Sequence, residues 1–256
     1  MTSWILNSQA NPAARMRLFC FPSAGRGAST YGSWTRAFPP DLDVCPVQLP
    51  GHENRYREAP FTRMADALAA LLPILDGRGE LPFAFFGHSL GALIAFELAR
   101  LLRRRGHAEP VHLFVSARRA PQIPEPWSRI SHLPTAEFLD AVRIRYDGIP
   151  EAILRAPDLL AITLPAMKAD FEIIENYFYQ NEDSFDYPIS AFGGSWDSTV
   201  APSELEAWRA QTRGRFRLRL FSGDHFFLHR CRAELIEAIS GELKTTMEQA
   251  GRGGTS

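Results

Sequence analysis

The sequence predicts an α/β fold, in which helices flank a mostly parallel β-sheet. Two observations support this. Short apolar runs alternate with segments of helical periodicity along most of the chain, which is typical of a parallel sheet covered on both faces. A Gly-x-Ser-x-Gly pattern at residues 87–91 also lies between a predicted strand and a predicted helix. With 256 residues, 45% of them hydrophobic, the chain can form one large domain of this class.

Six apolar runs are predicted as strands, at residues 17–21, 42–49, 82–86, 111–116, 188–192 and 216–221. The segments between them predict helices at residues 62–75, 90–105, 202–211 and 233–247, with a short one at 31–38. Gly106 can cap the helix that follows the Gly-x-Ser-x-Gly pattern, and Arg103, Arg104 and Arg105 complement its dipole.

One interval interrupts the alternation. About 70 residues separate the fourth and fifth strands, too many for an unstructured connection. They contain an apolar stripe at helical spacing: Leu160, Leu164, Met167, Phe171, Ile174 and Phe178. Pro165 should kink this helix or divide it into two. The insertion could simply thicken the core as a helical hairpin. Its origin at the carboxyl end of a strand, where such sheets bind ligands, favours a lid.

The predicted organisation is therefore a core in two parts, residues 15–117 and 188–247, with a helical lid inserted at 118–187. Residues 1–14 and 248–256 are predicted to be flexible termini.

The composition excludes several classes of function. With 28 basic and 29 acidic residues, the formal net charge is −1, which does not favour binding to nucleic acid or an anionic membrane surface. The start of the chain shows no secretory signal, and no apolar run approaches membrane-spanning length. The three cysteines fit buried thiols in a reducing compartment, and no metal-ligand spacing is present. We therefore expect a cytoplasmic protein with no metal and no other cofactor.

The Gly-x-Ser-x-Gly pattern is typical of a nucleophile elbow, which makes Ser89 the candidate nucleophile. A serine hydroxyl needs a base, and the base needs a third group to orient it. In folds with this elbow the acid and then the histidine follow the serine in the chain. His225 follows the last predicted strand and is the candidate base, with His229 as the alternative.

Asp197 is the candidate acid, because it lies in the loop that follows the fifth predicted strand. Asp183 and Asp186 precede that strand and so lie at its wrong end. Asp224 is adjacent to His225 in sequence, which gives poor geometry for accepting a hydrogen bond from the imidazole.

Two backbone N–H groups should stabilise the oxyanion that forms during acyl transfer. The residue after the nucleophile, Leu90, supplies the first. The glycine-rich loop after the first strand, residues 21–27, supplies the second, with Ala24 as the better candidate. The same loop could also be an ordinary flexible turn, and it lacks the lysine and the spacing of a phosphate-binding loop.

Two further histidines lie close to these segments in sequence. His88 adjoins the nucleophile, and a packing role is predicted because its side chain should point away from the site. His52 could line the mouth of the pocket or be a solvated loop residue.

Several segments together resemble the type II thioesterases of polyketide and non-ribosomal peptide synthase pathways, which belong to the α/β-hydrolase superfamily. They read FCFPSAG (19–25), QLPGHENR (48–55), FGHSLGALIAFELAR (86–100), VSARRAP (115–121), KADF (168–171) and GDHFFL (223–228). Their consistent order between about residues 17 and 243 makes the resemblance specific. It implies an α/β-hydrolase fold with an inserted helical lid.

The resemblance also implies an activity, the removal of stalled or misprimed acyl groups from phosphopantetheinyl carrier proteins. It assigns the nucleophile to Ser89, the acid to Asp197, the base to His225 and the oxyanion donors to Ala24 and Leu90. The acyl chain should contact Met167, Phe171 and Phe226. An acyl or peptidyl carrier protein is the expected transient partner of a monomeric enzyme, and Arg118 and Arg119 are candidates for meeting its acidic surface.

The sequence departs from the family pattern at Arg26, His52, Trp196 and Ser198, where glycine, arginine, a small or acidic residue, and proline are frequent. Lys168 and its neighbours also replace a leucine–arginine version. Arg26 and Trp196 could therefore alter substrate preference. Two alternatives remain open: a free-ester or acyl-CoA hydrolase with the same triad, and a non-catalytic binding protein of the same fold.

Overall fold

The computed structural model describes residues 4–6, 11–76, 81–146 and 156–253. The predicted flexible termini therefore lie partly outside the described residues, as does part of the predicted lid. Six strands form one sheet: β1 (Met16–Phe21), β2 (Leu42–Pro46), β3 (Phe83–His88), β4 (Leu113–Ser116), β5 (Ile189–Gly194) and β6 (Phe216–Phe221). Their order is β2-β1-β3-β4-β5-β6, and every neighbouring pair is parallel.

In the part of the chain that the structure describes, seven α-helices connect or flank these strands. They are α1 (Met64–Asp76), α2 (Leu90–Arg105), α3 (Thr135–Tyr146), α4 (Pro157–Glu175), α5 (Pro202–Glu206), α6 (Phe227–Arg230) and α7 (Arg232–Gly253). β3 lies inside the sheet, and α2 follows it almost directly. The candidate nucleophile, Ser89, is the single residue between the two elements. Gly106 ends α2 in the left-handed region at φ 68°, as its predicted capping role requires.

Apolar side chains cover both faces of the sheet. Neighbouring strand residues point to opposite faces, so Phe85 and Phe86 belong to two different core clusters. Trp208 packs in the Phe85 cluster, and Trp34 packs in the Phe86 cluster. Burial on both sides explains why β3 and β4 read as continuous apolar runs rather than as alternating ones.

The structure corrects several predicted boundaries. The second strand ends at Pro46 rather than residue 49. The Val47 N–H still donates to the Cys20 carbonyl at 2.9 Å, but Val47 pairs with Ile5 in an isolated antiparallel bridge outside the strand. The predicted helix at 31–38 is two 3-10 turns, Ala28–Tyr31 and Trp34–Arg36. The predicted helix at 202–211 ends at Glu206 and continues as a 3-10 turn, a frequent form of helix ends.

The insertion between β4 and β5 contains α3 and α4. Pro165 lies inside α4, so the alternative of two separate helices is wrong. Phe178 lies beyond the end of α4 and is 82% exposed, so it does not pack with the predicted stripe. The Glu175 carboxylate accepts hydrogen bonds from the backbone N–H groups of Ile130 and Ser131, which fixes the end of α4 against the preceding loop.

Candidate active site

Ser89 lies at a sharp turn between β3 and α2, in an uncommon backbone conformation with φ 54° and ψ −114°. A Cβ atom on Gly87 would overlap the Gly91 backbone. One on Gly91 would overlap the carbonyl of Phe21, at the end of the neighbouring strand β1. Both glycines are therefore required, and the turn brings Ser89 beside the loop that follows β1.

His225 and Asp197 lie together at the carboxyl end of the sheet. The distance between His225 Nδ1 and Asp197 Oδ2 is 2.9 Å, and both side chains are buried. Asp197 follows β5 and His225 follows the adjacent strand β6. The two loops touch at Gly194, where a Cβ would overlap the backbone of Gly223 and Asp224. The close approach of these loops brings together an acid and a base that are 28 residues apart.

Thr199 completes the surroundings of the Asp197 carboxylate. Its hydroxyl donates to Asp197 Oδ1 at 2.6 Å and its backbone N–H donates to the same oxygen at 2.8 Å. The hydroxyl oxygen also lies 2.9 Å from His225 Nδ1. Burial favours a raised pKa for Asp197, but the hydrogen bond and charge of His225, together with Thr199, lower that pKa below its usual value. Asp197 is thus held ionised, and Thr199 is a site residue that the sequence analysis missed.

The base and the nucleophile lie on neighbouring loops but are not hydrogen-bonded. The ring centroid of His88, the residue before Ser89, is 5.4 Å from that of His225. Ser89 and His225 are 7% and 4% exposed. The hydrogen bonds of the described residues include none from the Ser89 hydroxyl to His225. Such bonds are often long before substrate binds and shorten in the reacting complex.

Ala24 and Leu90 lie on the two segments that meet at the elbow. Leu90 is the first residue of α2, so its N–H has no partner within the helix. Ala24 lies in the loop after β1, whose carbonyl at Phe21 contacts the elbow at Gly91. The loop after β1 forms a turn closed by the Arg26 N–H, which donates to the Ser23 carbonyl. The two expected donors therefore lie on adjacent segments next to Ser89.

An apolar cluster from the insertion lies beside these residues. Its buried members are Ile130, Phe138, Val142, Met167 and Phe171, and Ala24 and Tyr146 pack against them. The Tyr146 ring lies 5.0 Å from the His225 ring and 5.9 Å from the Phe171 ring, between centroids. Tyr146, the last residue of α3, thus contacts the candidate base, and no sequence pattern marked it.

Phe226 also contacts the candidate base. Its ring centroid is 5.2 Å from that of His225, and the Arg26 guanidinium lies 5.7 Å from the Phe226 centroid. His229, the alternative base, lies in α6 and stacks on the outer side of Phe226 at 6.5 Å. Asp197 contacts His225 and not His229, which favours His225.

A cavity of about 430 Å³ adjoins the apolar cluster. Tyr146 and Phe171 border both the cavity and the cluster. Apolar and charged side chains share the rest of its wall, including Ile174, Glu125 and Arg145. Its lining does not include Ser89, Asp197 or His225, and Tyr146 is the lining residue that contacts His225.

His52 and Asp170 form a second buried acid–histidine pair. His52 Nε2 lies 2.8 Å from Asp170 Oδ2, and the Gly25 N–H donates to the same oxygen at 2.7 Å. Burial lowers the pKa of His52, but the charge and hydrogen bond of Asp170 outweigh it and raise that pKa to about 9. At 5% exposure His52 is not a solvated loop residue, so that alternative is wrong.

His88 is buried, and its Nδ1 lies 2.9 Å from the Ser116 hydroxyl, which fits the predicted packing role. Its ring nevertheless lies 5.4 Å from the ring of His225, so the prediction that its side chain points away from the site is wrong. Burial, and then the nearby His225, lower the pKa of His88 well below its usual value, so its imidazole is neutral. The rejected acids lie elsewhere: Asp186 pairs with Arg213, and Asp224 accepts from the Phe226 N–H.

Arg118 and Arg119 do not form an exposed surface, so their candidate role in meeting a carrier protein is wrong. They are 7% and 4% exposed. Arg118 pairs with Glu125 at 2.7 Å, and Arg119 pairs with Glu204 at 2.7 Å. Arg119 also donates to the Thr199 carbonyl, so it supports the loop of the candidate acid.

Three further structural findings concern the cysteines, clusters of metal-ligating side chains and the apolar character of the helices. Cys20, Cys45 and Cys231 are buried and form no disulfide with one another. Within the described ranges, no three His, Cys, Asp or Glu side chains form a group that could hold a metal ion. In the same part of the chain, no helix combines the length and apolar character that a membrane span requires.

Comparison with known proteins identifies relatives along almost the whole chain. The family model described as thioesterase domain matches residues 16–243. The gramicidin S biosynthesis protein GrsT of Aneurinibacillus migulanus is 42% identical over 247 residues, which cover 96% of each chain.

Two solved structures are also similar. The RedJ thioesterase from the prodiginine biosynthetic pathway in Streptomyces coelicolor is 34% identical with a TM-score of 0.83, covering 91% of this chain and 88% of its own. The type II thioesterase BorB from the borrelidin biosynthetic cluster is 33% identical with a TM-score of 0.82, covering 94% and 96%. These similarities confirm the predicted fold class and the predicted resemblance.

Proposed function

The chain belongs to the thioesterase family and is a thioester hydrolase, and we propose that it edits acyl carrier proteins of a polyketide or non-ribosomal peptide synthase. In this role it removes stalled or misprimed acyl groups from the phosphopantetheine arm. The observation that carries the catalytic part is the 2.9 Å contact between Asp197 and His225 beside the strained turn at Ser89. We further propose that the enzyme acts in the cytoplasm, as a monomer that meets its carrier transiently and needs no cofactor.

In the proposed mechanism, Ser89 Oγ attacks the thioester carbonyl while His225 Nε2 accepts the hydroxyl proton. Asp197 accepts a hydrogen bond from His225 Nδ1, which fixes the tautomer that leaves Nε2 free. The pKa of Asp197 is lowered, so its carboxylate is ionised at neutral pH. The carboxylate therefore stabilises the His225 imidazolium as the imidazolium forms. The Thr199 hydrogen bonds orient the carboxylate.

The tetrahedral intermediate carries its negative charge on the former carbonyl oxygen. The N–H groups of Ala24 and Leu90 are assigned to this oxygen, and the dipole of α2 strengthens the second. His225 then returns the proton to the departing sulfur. A thiol with a pKa of about 8.5 needs less acid assistance than an amine, which suits a thioester.

Water completes the reaction. His225 removes a proton from a water molecule, which attacks the acyl-enzyme, and the acid product leaves as Ser89 is regenerated. We assign α3 and α4 to a lid that covers Ser89 during hydrolysis. The acyl group is assigned to contacts with Met167, Phe171 and Phe226.

The decisive experiment uses Ser89→Ala, with Ser203→Ala as the matched control because Ser203 is exposed on α5. Acyl-loaded carrier proteins are incubated with each variant, and deacylation is followed by intact mass. Ser89→Ala should lose at least a thousandfold in kcat and should resist labelling by a fluorophosphonate. Ser203→Ala should match the wild type.

Two outcomes would contradict the proposal. Folded Ser89→Ala that retains turnover would remove Ser89 from the mechanism. Equal kcat/KM on a carrier-bound thioester, the matching acyl-CoA and the matching free ester would indicate a general acyl hydrolase. A panel of acyl groups then defines the editing preference.

A further inference from the structure

We propose that His52 and Asp170 form a charged bridge that positions the oxyanion loop, residues 23–28, for catalysis. The proposal rests on the thioester hydrolysis proposed above. It assigns both side chains as positioning residues, because they act on the reacting oxygen through the backbone of Gly25 and its neighbour Ala24.

The hydrogen bonds require a protonated His52. Its Nδ1 lies 3.0 Å from the Pro50 carbonyl oxygen, and its Nε2 lies 2.8 Å from the Asp170 carboxylate. A carbonyl and a carboxylate only accept hydrogen bonds, so both ring nitrogens must donate. Both side chains of the pair are 4% exposed, so the charges act on each other with little screening by water.

Asp170 connects this pair to the oxyanion loop. The oxygen that accepts from His52 also accepts from the Gly25 N–H at 2.7 Å. Gly25 adopts φ 71°, and a Cβ there would lie 3.0 Å from Met167 Cγ, so α4 presses directly on this loop. Ala24, whose N–H is assigned to the oxyanion, immediately precedes Gly25 in this loop.

The other end of the oxyanion loop is also tied to the His52 segment. The Ala28 N–H donates to Gln48 Oε1 at 2.8 Å, and Gln48 Nε2 donates to the His52 carbonyl at 2.8 Å. His52 is therefore linked to the loop at two points. Its side chain reaches Gly25 through Asp170, and its backbone carbonyl reaches Ala28 through Gln48. A shift of this segment would move the loop as a unit.

The bridge predicts that the oxyanion loop loosens in alkaline solution. The charged groups that act on His52 are Asp170 on α4 and Glu53 on its own loop, and both favour the protonated form. His52 loses its proton as the pH rises through about 9. Neutral His52 can donate to only one of its two acceptors, the Pro50 carbonyl or the Asp170 carboxylate. The contact that positions Asp170, and through it Gly25, is then weaker.

The test compares His52→Gln, Asp170→Asn, the double variant and His52→Arg in the full chain. Arginine stays charged at every pH used and can donate to both acceptors. The substrate is a short-chain acyl thioester of N-acetylcysteamine, which reproduces the end of the phosphopantetheine arm. Activity is measured from pH 6.5 to 10, and hydrogen exchange of residues 23–28 is measured in parallel. His132→Gln and Asp140→Asn, both exposed, are the matched controls.

At pH 7, His52→Gln and Asp170→Asn should each lower kcat about tenfold with KM within about twofold, since donors to the oxyanion act mainly in the transition state. The double variant should be no slower than the slower single variant. Wild-type kcat should fall as the pH passes about 9, whereas His52→Arg should keep its kcat. Exchange in residues 23–28 should be faster in His52→Gln and Asp170→Asn than in either control.

Several outcomes would overturn the bridge. Unchanged kcat and exchange in His52→Gln would remove its positioning role. A His52→Arg profile that falls like the wild type would refute the role of the charge. If the wild type hydrolyses the thioester and His52→Gln and Asp170→Asn have the same kcat, the positioning role of the bridge is refuted and the proposed function is not. A wild type with no activity on any thioester refutes the proposed function and the catalytic role of the bridge with it.

Discussion

The described part of the structure contains two buried aspartate–histidine pairs whose nitrogen–oxygen distances are nearly equal, although they use different ring nitrogens. Asp197 and His225 are 2.9 Å apart, and Asp170 and His52 are 2.8 Å apart. The first pair joins the loops after β5 and β6, whereas the second joins α4 to the loop after β2. The two pairs therefore have similar nitrogen–oxygen distances but connect different elements of the fold.

The pairs differ in the second nitrogen of each histidine. His52 Nδ1 is held by the Pro50 carbonyl, so both nitrogens of His52 are engaged and the ring is a fixed charge. Among the described residues, the hydrogen-bond acceptors near His225 lie at Nδ1, and in the proposed mechanism Nε2 carries the proton that moves. We therefore propose that an aspartate–histidine pair acts as a proton carrier at His225 and as a static contact at His52, depending on what the second ring nitrogen contacts.

The largest expected contrast is between Asp197→Asn and Asp170→Asn. Asp197→Asn removes the acceptor that fixes the His225 tautomer, and kcat should fall by about 10³–10⁴, as in other triads. Asp170→Asn should cost about tenfold, because it only loosens the oxyanion loop. Stopped-flow or steady-state hydrolysis of one acyl thioester measures both. Losses of equal size would show that the two pairs do not differ in role.

The second prediction concerns stability. His52 has a pKa of about 9 when folded, above its unfolded value, so its contribution is complete below about pH 6.5 and is lost as the pH rises through 9. From pH 7 to 9, the free energy of unfolding should fall by about 2 kcal/mol more in the wild type than in His52→Arg.

Urea unfolding of both proteins at the two pH values measures this difference. The control is His132→Gln, which should behave as the wild type because His132 is exposed. Parallel curves for wild type and His52→Arg would show that the bridge carries no pH-dependent stability.

The two pairs also differ in how far the sequence predicts them. The elbow, Asp197 and His225 could be assigned because each follows a strand that is apolar enough to recognise, and parallel strands end at one edge of the sheet. The bridge could not, because His52 and Asp170 are 118 residues apart and α4 passes over the oxyanion loop only in the folded chain. Arg118 and Arg119 seemed to form a surface pair, but their acidic partners are supplied by loops that the sequence does not place.

A third prediction concerns the hydrogen bonds on the carboxylate of the catalytic pair. Thr199→Val keeps the shape and the backbone N–H but removes the hydroxyl that donates to Asp197 at 2.6 Å. Losing one hydrogen bond to a charged group should lower kcat about fivefold to tenfold. Thr245→Val on α7 is the matched control, since its hydroxyl contacts only the Gly241 carbonyl. A neutral Thr199→Val would mean that the backbone N–H suffices to orient Asp197.

The smallest expected effect on kcat is that of substituting His229, the alternative candidate for the catalytic base. His229 stacks on Phe226, and burial followed by the charge of Arg26 lowers the pKa of its imidazole. Asp197 does not contact it, so His229→Gln should keep kcat within about twofold, whereas His225→Gln should lose about 10³–10⁴ because the base is gone. Hydrolysis of one acyl thioester by the two variants separates the candidates. A large loss in His229→Gln with an active His225→Gln would transfer the proton-carrying role to His229, and the pair of Asp197 and His225 would then be a second static contact.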